Sequence, residues 1–290
     1  MVKTVICPAK INLFLEIHEK RKSDGYHTLD SVMQTVDLAD VITLNIEKGN
    51  EGISVLMGEK NADIPTDERN IAVKAAKKYF EAFDIRDYEA TILIDKKIPT
   101  QAGLGGGSAD AAGVLRALDE YFGFNDKKRL DDVALSVGAD VPFCVNMGIC
   151  RAEGVGEILT PCAKIPKNTS IVIAKGSGSV STAQAYADFD ALGNYVRRDS
   201  DDIIKAFEKN DLSFAGIMFN RFEEVIFPKL PEICEIKKTL YSCGAAGALM
   251  SGSGSAVFGI FEDDASASAA LDTLLKKNVF ACKTRPFYTE

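Results

Sequence analysis

Gly103, Gly105, Gly106 and Gly107 place four glycines within five positions of one loop, Pro99-Thr100-Gln101-Ala102-Gly103-Leu104-Gly105-Gly106-Gly107-Ser108-Ala109. Glycine loses more backbone freedom on folding than any other residue and adds no side chain to a core, so a cluster like this serves the backbone. The run Tyr88–Asp95 before it is rich in β-branched and apolar residues and predicts a strand. After it, Ala111, Ala112, Val114, Leu115 and Leu118 recur at helical spacing and predict a helix over Ser108–Phe122. Strand, glycine loop and helix start together present unpaired N–H groups at the positive end of a helix dipole, a site suited to phosphate. A tight strand-to-helix turn is the competing reading, but it does not need four glycines. The loop lacks the Gly-Lys-Ser/Thr ending of a P-loop, and its glycines are bunched more tightly than a dinucleotide fingerprint allows.

Other residues could act on a ligand held there. Lys10 and Asn12 share strand parity within Pro8-Ala9-Lys10-Ile11-Asn12-Leu13, amid apolar neighbours. They either line a solvated edge or point together into a site. Tyr26 and His27 leave the turn Ser23-Asp24-Gly25, where they either pack the turn or stack on a planar ring while polar atoms read its edge. Asp140, in Gly138-Ala139-Asp140-Val141-Pro142, is a turn or cap residue by one reading and a positioned proton acceptor by the other. Glu153-Gly154-Val155-Gly156-Glu157 is a second small-residue loop that permits close backbone approach, and Gly252-Ser253-Gly254 is a third.

With 290 residues, 46% apolar and 26% charged, the chain can bury a large core. It has no apolar stretch of membrane-spanning length. A formal charge of −8 without a long Lys/Arg run argues against nucleic-acid binding. Seven cysteines without a C-x-x-C pair, and a start that turns polar too soon for a signal peptide, predict reduced thiols in a cytoplasmic protein. No membrane association and no obligate protein partner are expected.

Elements must place these residues. Val2–Ile6 and Ile11–Ile17 read as strands broken at Cys7-Pro8, because proline cannot donate to a ladder. Asp37–Ile46 reads as a strand with Ile53–Leu56 as its hairpin partner, and Asn70 caps a helix over Ile71–Phe83. Leu130–Val137 is a helix ended by Gly138. Beyond a polar crossing at Pro161–Asn168 come a strand at Ile171–Ala174 and helices at Gln184–Phe189, Asp201–Glu208, Leu212–Arg221 and Pro231–Tyr241. An apolar strand follows the Gly-Ser turn, and Ala265–Lys277 and Val279–Lys283 close the chain as helix and strand. An α+β protein results, with a domain boundary expected between 1–163 and 164–290.

The glycine loop resembles the central motif of the GHMP kinases. Pro8-Ala9-Lys10-Ile11-Asn12 and Ser251-Gly252-Ser253-Gly254 match that family's first and third motifs, in the same order along the chain. The resemblance implies a two-domain fold, with an N-terminal ribosomal-S5-domain-2-like ATP-binding domain and a C-terminal ferredoxin-like α/β sandwich. It further implies Lys10 and Asp140 as a catalytic pair, and Pro99, Thr100, Gln101, Ala102, Gly103, Leu104, Gly105, Gly106, Gly107, Ser108 and Ala109 as the ATP site. Asp24-Gly25-Tyr26-His27 marks, within the family, kinases whose acceptor alcohol carries a cytidine diphosphate, as in non-mevalonate isoprenoid precursor synthesis. Tyr26, His27 and Tyr186 would then hold cytosine, with Asn12, Val155, Gly156 and Thr182 as further substrate contacts. ATP as donor and Mg²⁺ are implied, with Ser108 the candidate metal ligand and no metal constellation legible. Gln101, Ala109 and Ala183 depart from the residues usual in such kinases. A kinase of another small alcohol, of homoserine or mevalonate type, and a silent nucleotide sensor are the alternatives.

Overall fold

The computed structural model describes residues 2–49, 52–57, 64–193 and 195–289. In chain order the elements are β1 (Val2–Lys20), β2 (His27–Lys48), β3 (Gly52–Met57), α1 (Ile71–Ala82), β4 (Tyr88–Asp95), α2 (Gly106–Phe122), α3 (Lys127–Val137), α4 (Val141–Asn146), β5 (Ile149–Glu153) and β6 (Ile158–Pro161). They continue with β7 (Ser170–Lys175), α5 (Thr182–Asp190), α6 (Asp201–Phe207), β8 (Phe219–Asn220), α7 (Glu223–Ile226), α8 (Pro231–Ser242), β9 (Gly247–Met250), β10 (Val257–Phe261), α9 (Asp264–Leu275) and β11 (Phe280–Thr284). The chain forms two compact units: Met1–Ala9 with Leu38–Thr100 and Gly105–Asn146, and Lys10–Asp37 with Gln101–Leu104 and Met147–Glu290.

In the first unit, Val41–Lys48 of β2 pairs antiparallel with β4. The predicted hairpin of Ile53–Leu56 with the preceding strand does not form, because β3 runs parallel to β4 instead. The Asn70 side chain accepts from Ala72 N at 3.0 Å and starts α1 as its sequence predicts. Helix α2 begins at Gly106, two residues before the predicted start, with Gly105 before it at φ 68°. Small residues let α2 lie close to the sheet: a Cβ on Gly113 would stand 2.2 Å from Cys7 Sγ.

The second unit holds an antiparallel sheet in the order β11-β7-β10-β9. Its core includes Val172 and Ala174 of β7, Val257 and Phe261 of β10, Ile233 and Leu240 of α8, and Leu274 of α9. Ser31–Gln34 of β2 pairs with β5, which pairs with β6, two short strands that the sequence pattern did not reveal.

Two further expectations are corrected. The strand does not break at Cys7-Pro8; β1 continues through it for 19 residues. Proline's fixed φ suits an extended path, and at Lys10 the backbone N–H is taken by Leu104 O of the glycine loop at 3.0 Å. Leu212–Arg221 is not a helix either. It forms a single 3₁₀ turn at Ser213–Gly216 and then β8, whose Phe219 and Asn220 pair in parallel with Phe14 and Leu15 of β1.

Candidate active site

Lys10, Asn12 and Ser31 are buried polar residues on the strands of the second unit. Burial obliges each polar atom to find a partner, and the partners fix one geometry. Ser31 Oγ donates to Phe14 O at 2.8 Å, so its lone pairs face the Asn12 amide, whose Nδ2 donates to it at 2.9 Å. Asn12 Oδ1 must then point the other way, where Lys10 Nζ donates to it at 2.8 Å. The amide acts as a bracket that aims the ammonium.

The Gly-Ser turn between β9 and β10 meets this group. Asn12 N donates to Ser251 Oγ at 3.3 Å, and Ser251 Oγ donates to Gly103 O at 2.9 Å. Gly103, at φ 74°, cannot carry a side chain, because a Cβ there would fall 2.0 Å from Ser251 O. Gly252 likewise leaves room for Lys10 Nζ, which would lie 3.4 Å from its Cβ. Asn220 holds the turn from below, donating to Met250 O at 2.6 Å and Gly252 O at 2.8 Å. Thr182, at the start of α5, shares a hydrogen bond of 2.9 Å with Ser253 Oγ. Lys10, Asn12, Gly103 and Thr182 are thus gathered around one turn. Ser31, Ser251 and Asn220 were not among the predicted site residues.

His27 opens β2 in the same unit. Its Nδ1 lies 2.6 Å from His18 O, which can only accept, so Nδ1 carries a proton. Nε2 is 2.9 Å from Asp190 Oδ1. Burial works against the Asp190 charge, but Lys20 and His27 outweigh it and hold the carboxyl below its usual range. The imidazole stacks on Tyr186, with centroids 5.2 Å apart and planes 10° apart, and Phe189 meets it edge-on at 5.5 Å. Leu29 N donates to Gly154 O at 2.8 Å, which brings the Gly154–Glu157 turn, with Val155 and Gly156, to the strand that carries His27. Tyr26 stays apart from the stack, 66% exposed on its turn.

The first unit holds Pro99 and Thr100, Gly105–Ala109 and Asp140. Ala109 N donates to Gly105 O at 2.8 Å as the first helical bond of α2, which leaves the preceding N–H groups at the helix end. Asp140 immediately precedes α4 and its carbonyl accepts from Cys144 N at 3.1 Å. Beside the loop lies a buried charge cluster. Lys96 Nζ donates to Asp40 Oδ2 at 2.5 Å and to Asp110 Oδ2 at 2.7 Å. Burial opposes the ammonium of Lys96, but Asp110 and Asp40 together hold its pKa above the ordinary range. Burial, reinforced by Asp40 and opposed by Lys96, pushes Asp110 up to about 7.

Family profiles match the chain over residues 70–148, described as GHMP kinases N terminal domain, and 203–279, described as GHMP kinases C terminal. A 4-diphosphocytidyl-2-C-methyl-D-erythritol kinase of Alkaliphilus metalliredigens is 42% identical over 92% of this chain and 90% of its own. One from Clostridium botulinum (strain Eklund 17B / Type B) is 39% identical over 96% of this chain and 97% of its own. A crystal structure of 4-(cytidine 5'-diphospho)-2C-methyl-D-erythritol kinase superposes with a TM-score of 0.78 at 32% identity, covering 98% of this chain and 100% of that one. The homoserine kinase of Cytophaga hutchinsonii shares the fold, with a TM-score of 0.77 at 19% identity over 98% of this chain and 94% of that one. This chain belongs to the 4-diphosphocytidyl-2-C-methyl-D-erythritol kinases, within the GHMP kinases.

Proposed function

We propose that the chain transfers the γ-phosphoryl group of ATP to the 2-hydroxyl of 4-diphosphocytidyl-2-C-methyl-D-erythritol. Near full-length identity to kinases of that name carries the reading. Two features of the geometry support it: a lysine aimed by a buried amide, and a histidine stacked on an aromatic ring with both nitrogens beside acceptors.

In this reading the loop from Pro99 to Ala109 holds the nucleotide phosphates by its N–H groups. Asp140 accepts the proton of the 2-hydroxyl as that oxygen attacks the γ-phosphorus and ADP leaves. Lys10 orients the hydroxyl and offsets the charge that develops on the transferred group. His27, Tyr186 and Tyr26 hold the cytosine, and Asn12, Val155, Gly156 and Thr182 the remainder of the substrate. Mg²⁺, when bound, neutralises charge on the β and γ oxygens. Among the described residues no group of three or more His, Cys, Asp or Glu side chains is arranged to hold a metal. A half-buried Ser108 hydroxyl in the first turn of α2 fits an ion that takes most of its ligands from phosphate and water.

The test is inhibition by CMP. Competition with the alcohol substrate and not with ATP is expected, and it should be lost in His27→Ala. Inhibition competitive with ATP alone would place cytidine at the wrong site and end the cytosine-pocket reading.

A further inference from the structure

The approach to the glycine loop and the helix that leaves it are joined by one buried cation. Lys96 directly follows β4, and its side chain is nearly inaccessible, as are those of Asp40 and Asp110. Asp40 lies on β2 and uses its other oxygen on the chain entering the loop, accepting from Lys97 N at 2.6 Å and Ile98 N at 2.8 Å. Asp110 lies on α2, and its second oxygen, Oδ1, is buried without a hydrogen-bond partner. Gly106, the first residue of α2, sits against the same group: a Cβ there would stand 3.0 Å from Ile98 Cγ2 and 3.4 Å from Lys96 Nζ. From β1, Cys7 faces the cluster as a neutral thiol, its pKa pushed up to about 12 by burial. Arg116, farther along α2, turns away to donate to Ile6 O at 2.7 Å.

A core needs no such arrangement. Burying three charges costs more than an apolar packing of equal volume, so a cluster retained for stability alone has little physical justification. What this one does is geometric. It ties the entry strand, through Asp40 and the Lys97 and Ile98 amides, to the first turns of the exit helix, through Asp110.

We propose that Lys96 is a positioning residue for nucleotide binding, holding the two ends of the glycine loop at the separation that aims its N–H groups at phosphate. The inference rests on the reading that this loop binds ATP. Lys96 acts on the loop and touches no reacting atom.

The experiment compares wild type, Lys96→Met, Asp110→Ala and the charge-balanced pair Lys96→Met with Asp110→Asn. Each is assayed for KM of ATP, kcat, KM of the cytidylated alcohol, ADP affinity by calorimetry, Tm, and amide hydrogen exchange at residues 103–109. Expected for Lys96→Met is a rise of about tenfold in KM for ATP, with kcat at saturating ATP within about twofold and KM for the alcohol unchanged. Exchange at 103–109 should quicken. The charge-balanced pair should recover Tm while KM for ATP stays raised, because it returns the cluster to the net charge of the ionised wild-type group, with the Asp40 carboxylate still held by the Lys97 and Ile98 amides, without restoring the bridge. Recovery of both together would reduce Lys96 to a structural residue and overturn the inference. Asp110→Ala keeps Lys96 paired with Asp40, so it tests the tie to α2 even if Lys96→Met fails to fold; unchanged ADP affinity and exchange in it would also overturn the inference. Wild type that binds no ADP would overturn the ATP-loop reading itself, a result distinct from normal binding in every variant.

Discussion

Two buried lysines, Lys10 in the second unit and Lys96 in the first, solve the burial of an ammonium differently. Lys10 is aimed by the neutral amide of Asn12, which Ser31 holds in one orientation. Lys96 is gripped by two carboxylates from two elements. An amide held in one orientation sets the direction of the ammonium that donates to it, whereas two carboxylates on separate elements tie those elements together through the ammonium. The first arrangement suits a group that must be aimed at a ligand. The second suits a group that must hold backbone in place.

The contrast can be broken most directly at the chemistry. Lys10→Met should lower kcat by about 10³-fold while ATP affinity changes little, since it removes charge stabilisation of the transferring group. Single-turnover kinetics with calorimetry checks this, and a larger kcat loss in Lys96→Met than in Lys10→Met would reverse the assignment. Asp140→Asn should lower kcat by about 10²-fold or more, again with ATP binding retained, as removal of a proton acceptor predicts.

The next effect sharpens the Lys10 side. Gly103→Ala places a methyl group onto Ser251 O and demands a positive φ from alanine. Thermal unfolding should show a loss of about 3 kcal/mol, with KM for both substrates raised. Unchanged stability would mean that the Gly-Ser turn does not pack on the loop as described.

The smallest effect belongs to the Lys96 side and depends on pH. Asp110 has a folded pKa raised to about 7, above that of an unfolded carboxyl. Between the unfolded value and about 7 the folded chain therefore holds a proton that the unfolded chain has released, so stability falls as pH rises through that window and stays reduced above it. Asp110→Asn carries no such penalty. Its Tm should exceed that of wild type by more at pH 8 than at pH 5. An equal difference at both pH values would show that Asp110 does not titrate there.

Local pattern made the glycine loop, the Asn70 cap and most helices of both units legible in the sequence. Family motifs pointed to Lys10, Asn12, His27 and Tyr186, which lie in the second unit. What escaped depends on partners distant in sequence. Leu212–Arg221 reads as a helix, but pairing of its Phe219 and Asn220 with β1 overrides local preference, as tertiary context does for short segments. Asn220 was invisible as a support for the Gly-Ser turn for the same reason. No motif or periodicity at Lys96-Lys97 tells that one of the two is buried between Asp40 and Asp110. The Ser31 hydroxyl that orients Asn12 sits in a strand whose alternation is interrupted by polar residues on its buried stretch, a signal that was there to be used.

One measurement tests the central claim most directly: ATP consumption with 4-diphosphocytidyl-2-C-methyl-D-erythritol, beside homoserine and mevalonate, in wild type and His27→Ala. Turnover confined to the cytidylated alcohol, with His27→Ala raising its KM at least about tenfold and leaving kcat within a few-fold, is the predicted result. Turnover of homoserine or mevalonate in its place, or a His27→Ala enzyme with unchanged KM, would contradict it.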